Sequence, residues 1–226
     1  MCGRFALFVP GEALFSLFNL NQPVPEEAFA PRYNIAPTQP VTAVRLGQSG
    51  EGELTWLTWG LVPSWAKEPK MGSRLINARS ETVAEKPSFR AAFKRRRCLI
   101  PASGFYEWQK VNGRKQPMFI QAEDGRPLAF AGLWEFWQSG DGSVIESCTI
   151  LTTRPNELMA PIHNRMPVII AADDFDDWLH PGPNPEMGLH LLRPYPAEKM
   201  TAYPVSTHVN SPRNDDAVCI EPLPAA

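Results

Sequence analysis

The pattern of hydrophobic and polar positions predicts a chain built mainly from β-strands. Runs of apolar, β-branched and aromatic residues alternate with turn residues through the centre of the sequence. Asn112-Gly113 and Asp124-Gly125 interrupt these runs and are typical of tight turns between neighbouring strands. The predicted strands are residues 53–60, 97–102, 104–111, 117–122, 128–137 and 144–153.

Helical periodicity is weaker and predicts three short helices, over 11–18, 88–97 and 172–179. In the second of these, Phe89, Ala92 and Phe93 share one face, and the C-terminal end is basic. Several strands, frequent turns and few helices predict an α+β fold. We expect a single domain over 1–226, built on a curved, largely antiparallel, barrel-like sheet with flanking helices.

Composition and charge are those of an ordinary globular protein. Of the 226 residues, 43% are hydrophobic and 20% are charged, and a chain of this size buries enough surface to fold without disulfides. The formal net charge of −2 argues against a general polyanion binder. A local basic groove is compatible with that charge.

Cysteine usage and the N-terminal residues indicate a reducing compartment. Residues 1–15 lack the apolar core of a secretory signal, and no apolar run approaches the ~20 residues of a membrane span. We therefore expect a soluble intracellular protein with free thiols. No C-x-x-C pair is present, so we predict no zinc ribbon and no other metal site. The four cysteines are Cys2, Cys98, Cys148 and Cys219.

Cys2 is the first candidate for chemistry. It is either a small apolar filler or, once Met1 is removed, a residue with a free α-amine beside its thiol. An α-amine with a pKa of about 7.7–8.0 is partly neutral at pH 7. It can attack an aldehyde, after which the thiol closes a five-membered thiazolidine ring. Alternatively, the amine serves as a base for the thiol, as in enzymes with an N-terminal nucleophile.

Asn77 and Arg79 lie at alternate positions of the segment LINARSET (75–82), so a strand would place them on one face. An amide beside a guanidinium suits a phosphate or an oxyanion. The structural alternative makes Asn77 a turn residue and pairs Arg79 with Glu81.

Glu107 lies in the segment GFYEWQ (104–109), where a strand would place it on the face of Phe105, opposite Tyr106 and Trp108. A carboxyl on such a face is either at the surface or in a site that raises its pKa, which would suit acid–base catalysis. The pattern alone leaves both interpretations open.

His163 precedes Arg165 by two residues in APIHNRMPVII (160–170). It is either an acid–base catalyst near neutral pH or a structural hydrogen bonder. The remaining histidines lack metal-ligand spacing, and we interpret them as structural; they are His180, His190 and His208.

Two further groups also allow two interpretations. The basic run 94–97 is either a nucleic-acid patch or the C-terminal end of the predicted helix. Trp56, Trp59 and Trp65 either offer stacking faces to bases or pack in the core.

The order of these motifs resembles the SOS-response-associated-peptidase (SRAP) family of abasic-site-processing proteins over nearly the whole chain. His163-Asn164-Arg165 carries Asn where Asp is also familiar in that family. The matching segments are MCGRF (1–5), RYNIAPTQ (32–39), WGLVPSW (59–65), INARSET (76–82), RCLIPASGFYEW (97–108), IHNRMPVI (162–169) and, more weakly, YPVSTHVN (203–210).

This resemblance implies a covalent chemistry centred on Cys2. The N-terminal cysteine would capture the ring-opened aldehyde of an abasic site in single-stranded DNA and form a thiazolidine cross-link that shields the lesion. By the same resemblance, Asn77 would position the amine or the sugar, Glu107 would assist ring opening and imine formation, and His163 would shuttle protons.

The resemblance also implies a DNA-binding surface. Arg4, Arg79 and Arg165 would hold the phosphates that flank the lesion, and Trp65 or Trp108 would stack on a base or shape the pocket. We expect single-stranded DNA with abasic sites as the partner, no cofactor, a monomer, and a cytoplasmic location with nucleoid association during DNA damage.

Two other functions remain open. A cysteine peptidase or amidohydrolase would use Cys2 with its own amine as base, with Asn77 donating to an oxyanion. Such an enzyme would cleave either other peptides or only its own Met1–Cys2 bond. A non-catalytic single-strand binder would use the arginines and tryptophans alone. In the second case, Cys2→Ala would leave DNA retention unchanged.

Overall fold

The computed structural model describes residues 2–20, 30–180, 182 and 185–224. Its α-helices are Gly11–Phe18 (α1), Arg90–Arg95 (α2) and Phe175–Leu179 (α3). Its strands are Phe5–Leu7 (β1), Arg32–Ile35 (β2), Pro40–Leu46 (β3), Gly52–Trp59 (β4), Asn77–Arg79 (β5), Arg97–Ala102 (β6), Gly104–Val111 (β7), Arg114–Ala122 (β8), Leu128–Gln138 (β9), Val144–Thr153 (β10), Met166–Pro167 (β11) and Met200–Pro204 (β12). Short 3₁₀ helices are Pro69–Arg74, Ser80–Thr82, Ala172–Asp174, Pro185–Leu191, Ala197–Lys199, Thr207–Asn210 and Ala217–Ile220.

Five strands close into a barrel. Strand β3 pairs with β4 and β6, β6 pairs with β9, and β9 pairs with β10, all in antiparallel register. A parallel pairing between β4 and β10 closes the ring. Strands β5 and β11 extend the sheet along β10. The predicted α+β fold with a barrel-like, largely antiparallel sheet is confirmed.

Side chains of the barrel strands alternate between two cores, because successive residues of a strand point to opposite faces. In β6, Cys98 and Ile100 belong to the core inside the barrel. Leu99 points outward and packs in a second core with Phe93 of α2 and Trp178 of α3. The helices therefore cover one outer side of the barrel.

A second sheet, with strand order β12-β8-β7-β1-β2, packs on the barrel. Phe5 and Phe105 contribute to the barrel core from its inner face. On its outer face, Tyr106 and Phe119 pack against the C-terminal segment in a third core that includes Val209. Strand β1 lies between β2 and β7, so the start of the chain is built into the sheet.

The hairpin between β7 and β8 has the turn that the sequence predicts. Asn112 and Gly113 have positive φ angles of 48° and 78°, as a two-residue type I′ turn requires. The strand predicted over 117–122 begins earlier, at Arg114, because its pairing continues up to the turn, where Arg114 lies opposite Val111.

The helix predicted over 88–97 is too long. It ends at Arg95, and Arg97 is the first residue of β6. The Arg97 guanidinium is buried, with its Cζ atom 4.6 Å from the ring centre of Phe93 and 4.8 Å from that of Trp178. Burial lowers the pKa of Arg97 to about 10. Arg97 is therefore a core residue and takes no part in a surface patch.

All four cysteines are buried free thiols. Within the described residues, no helix has the length and apolar character needed to cross a membrane.

Candidate active site and nucleic-acid interface

Cys2 lies where β1 begins beside β7. The amide of Tyr106 donates to the Arg4 carbonyl at 3.0 Å, which carries the pairing of the two strands toward Cys2. Cys2 is fully buried and contributes to the barrel core. Burial, reinforced by the neighbouring Glu107 carboxyl, raises the pKa of the Cys2 thiol. Met1, whose removal would expose the amine, lies outside the described residues.

Glu107 is a buried carboxyl in contact with a histidine. Its side chain is 3% exposed, and its Oε1 atom lies 3.8 Å from Nδ1 of His163. Burial raises the pKa of Glu107, and His163 partly offsets this rise. A raised pKa keeps a larger fraction of the carboxyl protonated near neutral pH, which suits a proton donor. The sequence left open whether Glu107 is a surface carboxyl or a carboxyl in a site that raises its pKa, and the structure supports the second interpretation.

His163 is held by backbone contacts as well. The amide of Arg165 donates to its Nδ1 atom at 3.1 Å. The same nitrogen lies 3.2 Å from the Arg165 carbonyl oxygen. Nδ1 is therefore the ring nitrogen that faces both the Arg165 backbone and Glu107.

Asn77 and Arg79 share one face of β5, as alternation predicts, with the buried Ala78 between them. Asn77 Nδ2 donates to the Ile150 carbonyl at 3.4 Å. Its Oδ1 atom is buried and accepts no hydrogen bond from any residue that the structure describes. Arg79 is exposed. At this edge of the sheet, the Oδ1 atom of Asn77 can accept a hydrogen bond, and the guanidinium of Arg79 supplies a positive charge on the same face.

Arg165 forms an ion pair that the sequence did not predict. Its two terminal nitrogens donate to Glu81 at 2.5 and 2.9 Å, and one also donates to the Thr152 carbonyl at 2.5 Å. The hydrogen bond from Arg165 is the main reason that the pKa of Glu81 falls to about 2. The alternative pairing of Glu81 with Arg79 is therefore wrong, because Arg165 occupies the carboxylate.

Arg4 and Trp108 are fixed by residues far away in the sequence. Arg4 donates to Oδ1 of Asn34 at 2.7 Å and to the Val209 carbonyl at 2.8 Å. Its guanidinium lies 5.8 Å from the ring centre of Trp108. The Trp108 indole donates to Oδ1 of Asn210 at 2.8 Å. Both side chains are held in one orientation before any ligand binds.

Trp65 is 56% exposed and lines a groove of about 590 Å³. The groove is also lined by Lys67, Lys70 and Arg74 and by Glu68, which forms an ion pair with Lys70. Of the other two tryptophans that were considered as stacking faces, Trp59 is fully buried, whereas Trp56 is 47% exposed. Trp59 is therefore a core residue, and Trp56 is not.

Several supporting contacts could not be predicted from the sequence. Asn34 is fully buried, and its Nδ2 atom donates to three carbonyls of the C-terminal segment, those of Val209, Ser211 and Asn214. Asp215 accepts from the amide of Asn34 at 2.8 Å. These contacts join positions about 180 residues apart, so no local pattern could reveal them.

One further cluster of polar residues lies in the C-terminal segment. Ligand-type atoms of His208, Asp216 and Cys219 lie within 4.8 Å of one another. His208 Nε2 is hydrogen-bonded to Asp216 at 3.0 Å, and the Cys219 thiol donates to the Asn214 carbonyl at 3.4 Å. These bonds fit the structural role predicted for His208.

Comparison with known proteins identifies the family. The family described as SOS response associated peptidase (SRAP) matches residues 1–212. The chain is 45% identical over 223 residues to the abasic site processing protein YoqW of Bacillus subtilis, covering 98% of this chain and 99% of YoqW. It is 36% identical over 230 residues to the abasic site processing protein HMCES of Gallus gallus, covering 88% of this chain and 68% of HMCES. The protein belongs to the SRAP family.

A solved structure has the same fold. A protein from Bacteroides thetaiotaomicron matches with a TM-score of 0.88 at 26% sequence identity, covering 98% of this chain and 100% of that one.

Proposed function

We propose that this protein captures the aldehyde of abasic sites in single-stranded DNA through the amine and thiol of Cys2, after Met1 has been removed. The observation that supports this most is that the charge of the buried Glu107 carboxyl acts on the Cys2 thiol, while Oε1 of Glu107 lies 3.8 Å from Nδ1 of His163. The names of the relatives support the same substrate, since YoqW and HMCES are abasic site processing proteins.

The proposed reaction releases one water. The neutral amine of Cys2 attacks the aldehyde carbon, and the resulting hydroxyl leaves as water to give an imine. The thiol sulfur then adds to the imine carbon, its proton passes to the nitrogen, and a thiazolidine forms. Because thiol and imine belong to one residue, ring closure is intramolecular, with effective molarities that can reach about 10⁵ M or more.

Glu107, His163 and Asn77 have distinct tasks in this scheme. A protonated Glu107 donates to the sugar oxygen during ring opening and to the departing hydroxyl. His163, beside that carboxyl, returns the proton. The buried Oδ1 atom of Asn77 accepts a hydrogen bond from the attacking amine or from a sugar hydroxyl.

The DNA is held without reading its sequence. Arg79 ends β5 and Arg165 directly precedes β11, two strands that both pair with β10. In this scheme the two arginines bind phosphates on either side of the lesion. Arg4 fixes Trp108, and the Trp108 and Trp65 rings stack on bases.

The state of the thiol favours aldehyde capture over amide cleavage. A cysteine peptidase attacks with a thiolate, which requires a lowered pKa. Burial raises the pKa of the Cys2 thiol instead. In aldehyde capture the amine attacks first, and the thiol is needed only for the later ring closure.

The test is to mix protein lacking Met1 with an oligonucleotide that contains one abasic site. We expect a band that survives denaturing electrophoresis, with the mass of protein plus DNA minus one water. Fully processed protein that gives no such adduct would contradict the proposal.

Two matched variants separate the steps. Cys2→Ala keeps the amine, so we expect an adduct only after reduction of the imine with borohydride. A chain that retains Met1 has no terminal aminothiol, and we expect no thiazolidine mass. A stable adduct with either variant in the absence of reductant would place the chemistry elsewhere.

A further inference from the structure

The tip of the β7–β8 hairpin carries cations in an unfavourable arrangement. Lys110, Arg114 and Lys115 are all exposed. Lys110 lies directly opposite Lys115 in the antiparallel register, and like charges at such positions destabilise a hairpin. In the part of the chain that the structure describes, neither lysine forms an ion pair with a carboxylate. The hairpin tip thus presents two exposed ammonium groups side by side.

This lysine pair shares a face with Trp108. Side chains two residues apart on a strand point the same way, about 6–7 Å apart along the chain. Trp108 lies opposite Pro117, and Lys110 and Lys115 form the next pair on that face toward the turn. Asn210 and Arg4 fix the orientation of the Trp108 ring. An aromatic face followed by cations is the arrangement that binds the bases and backbone of a single strand.

We propose that Lys110 and Lys115 bind backbone phosphates of the DNA strand on one side of the lesion, where the strand passes from Trp108 along the outer face of the second sheet, the face opposite to that of Glu107. The inference rests on the proposed function, because it extends the path of the same strand. The ligand is the phosphodiester backbone, so binding is independent of base sequence.

The experiment measures affinity without covalent chemistry. Two oligonucleotides carry a reduced, unreactive abasic site and extend from it on the 5′ side only or on the 3′ side only. Anisotropy titrations over a range of salt concentrations give the slope of log Kd against log salt for wild type and for the Lys110→Gln/Lys115→Gln variant. We expect the variant to lower the slope by about 1.4 with one oligonucleotide, at about 0.7 per lost phosphate contact, and to leave the other unchanged.

Controls distinguish specific contacts from net charge. The variant Lys94→Gln/Arg95→Gln removes the same charge from the exposed end of α2, and we expect both slopes to stay at the wild-type value. Lys110→Arg/Lys115→Arg keeps the charge and should keep the slope. Salt slopes that stay at the wild-type value in Lys110→Gln/Lys115→Gln would overturn the proposal. A decrease in slope that is the same with both oligonucleotides and in the α2 control would also overturn it.

Failure of this proposal and failure of the proposed function give different results. Adduct formation by the wild type with a reactive abasic oligonucleotide tests the function alone. The salt slopes use unreactive DNA and test the hairpin alone.

Discussion

The Nδ1 atom of His163 lies 3.8 Å from Oε1 of Glu107, and the same nitrogen accepts a hydrogen bond from the Arg165 amide. One imidazole nitrogen thus connects the buried carboxyl to the segment that carries a candidate phosphate-binding arginine. In the proposed mechanism, this pair moves a proton during the reaction of Cys2.

Replacing Glu107 by Gln should slow adduct formation by about 10²-fold or more, because general acid–base groups contribute about 10²–10⁴ to rate. Glutamine keeps the shape of the side chain but cannot exchange a proton. The rate is measured from the cross-linked fraction on denaturing gels with excess protein. Glu135→Gln, at a buried glutamate paired with Arg96, is the control and should react at the wild-type rate. An unchanged rate in Glu107→Gln would remove Glu107 from the mechanism.

The same variant should change how stability depends on pH. Because the folded state raises the pKa of Glu107, it binds this proton more tightly than the unfolded chain does. The stability associated with that proton is present below pH 4.5, the ordinary value, and is lost as pH rises through the folded pKa. Wild type loses this contribution as pH rises above 4.5, whereas glutamine has no such proton to lose. The free energy of unfolding of Glu107→Gln minus that of wild type should therefore increase over this pH range. Urea denaturation at several pH values measures it, and a difference independent of pH would contradict the shift.

Replacing Glu81 by Gln should tighten DNA binding by a few-fold. The change releases Arg165 from a carboxylate that is 51% exposed, and exposed pairs contribute only about 0.2–1 kcal/mol. Anisotropy with unreactive abasic DNA at low salt measures the affinity. Arg165→Gln should do the reverse, weakening binding and lowering the salt slope by about 0.7. Weaker binding by Glu81→Gln would show that the ion pair itself forms the binding surface.

Replacing Asn34 by Ala should lower the free energy of unfolding by about 1–3 kcal/mol or more, because buried carbonyls of the C-terminal segment and the Arg4 guanidinium lose their partner. Chemical denaturation measures the loss. Asn164→Ala, at an exposed asparagine, should stay within about 0.5 kcal/mol of wild type. A loss equally small in Asn34→Ala would mean that Asn34 does not hold this segment in place.

The strands that the sequence predicted are those with strong local signals. Strands β6, β7 and β10 have the predicted bounds, since each is rich in residues that favour strands and ends just before a chain-breaking pair, which is Ser103-Gly104, Asn112-Gly113 or Arg154-Pro155. Strands β1, β2 and β12 were missed because they are short and gain their stability from long-range pairing. Strand β12, for instance, contains Pro204 and pairs only with β8.

The candidate site was predictable by residue type but not by contact. Motif resemblance selected Cys2, Glu107 and His163, and their roles remain proposals. The pairing of Glu81 with Arg165 joins positions 84 residues apart, and the local alternative with Arg79 was wrong. Sequence patterns report neighbours along a strand or helix, whereas this ion pair depends on how β5 and β11 meet along β10.

The pairing of β1 with β7 also sets an order of events during synthesis. Phe5 pairs with Phe105, which leaves the ribosome about 100 residues later, or roughly 5–20 s later at about 5–20 residues per second. Until then the inner edge of β1 has no partner, and the start of the chain is accessible to a processing aminopeptidase. Once β7 docks, Cys2 is buried. We therefore expect an aminopeptidase that removes Met1 to act faster on the nascent chain than on the folded protein, in which Cys2 is fully buried.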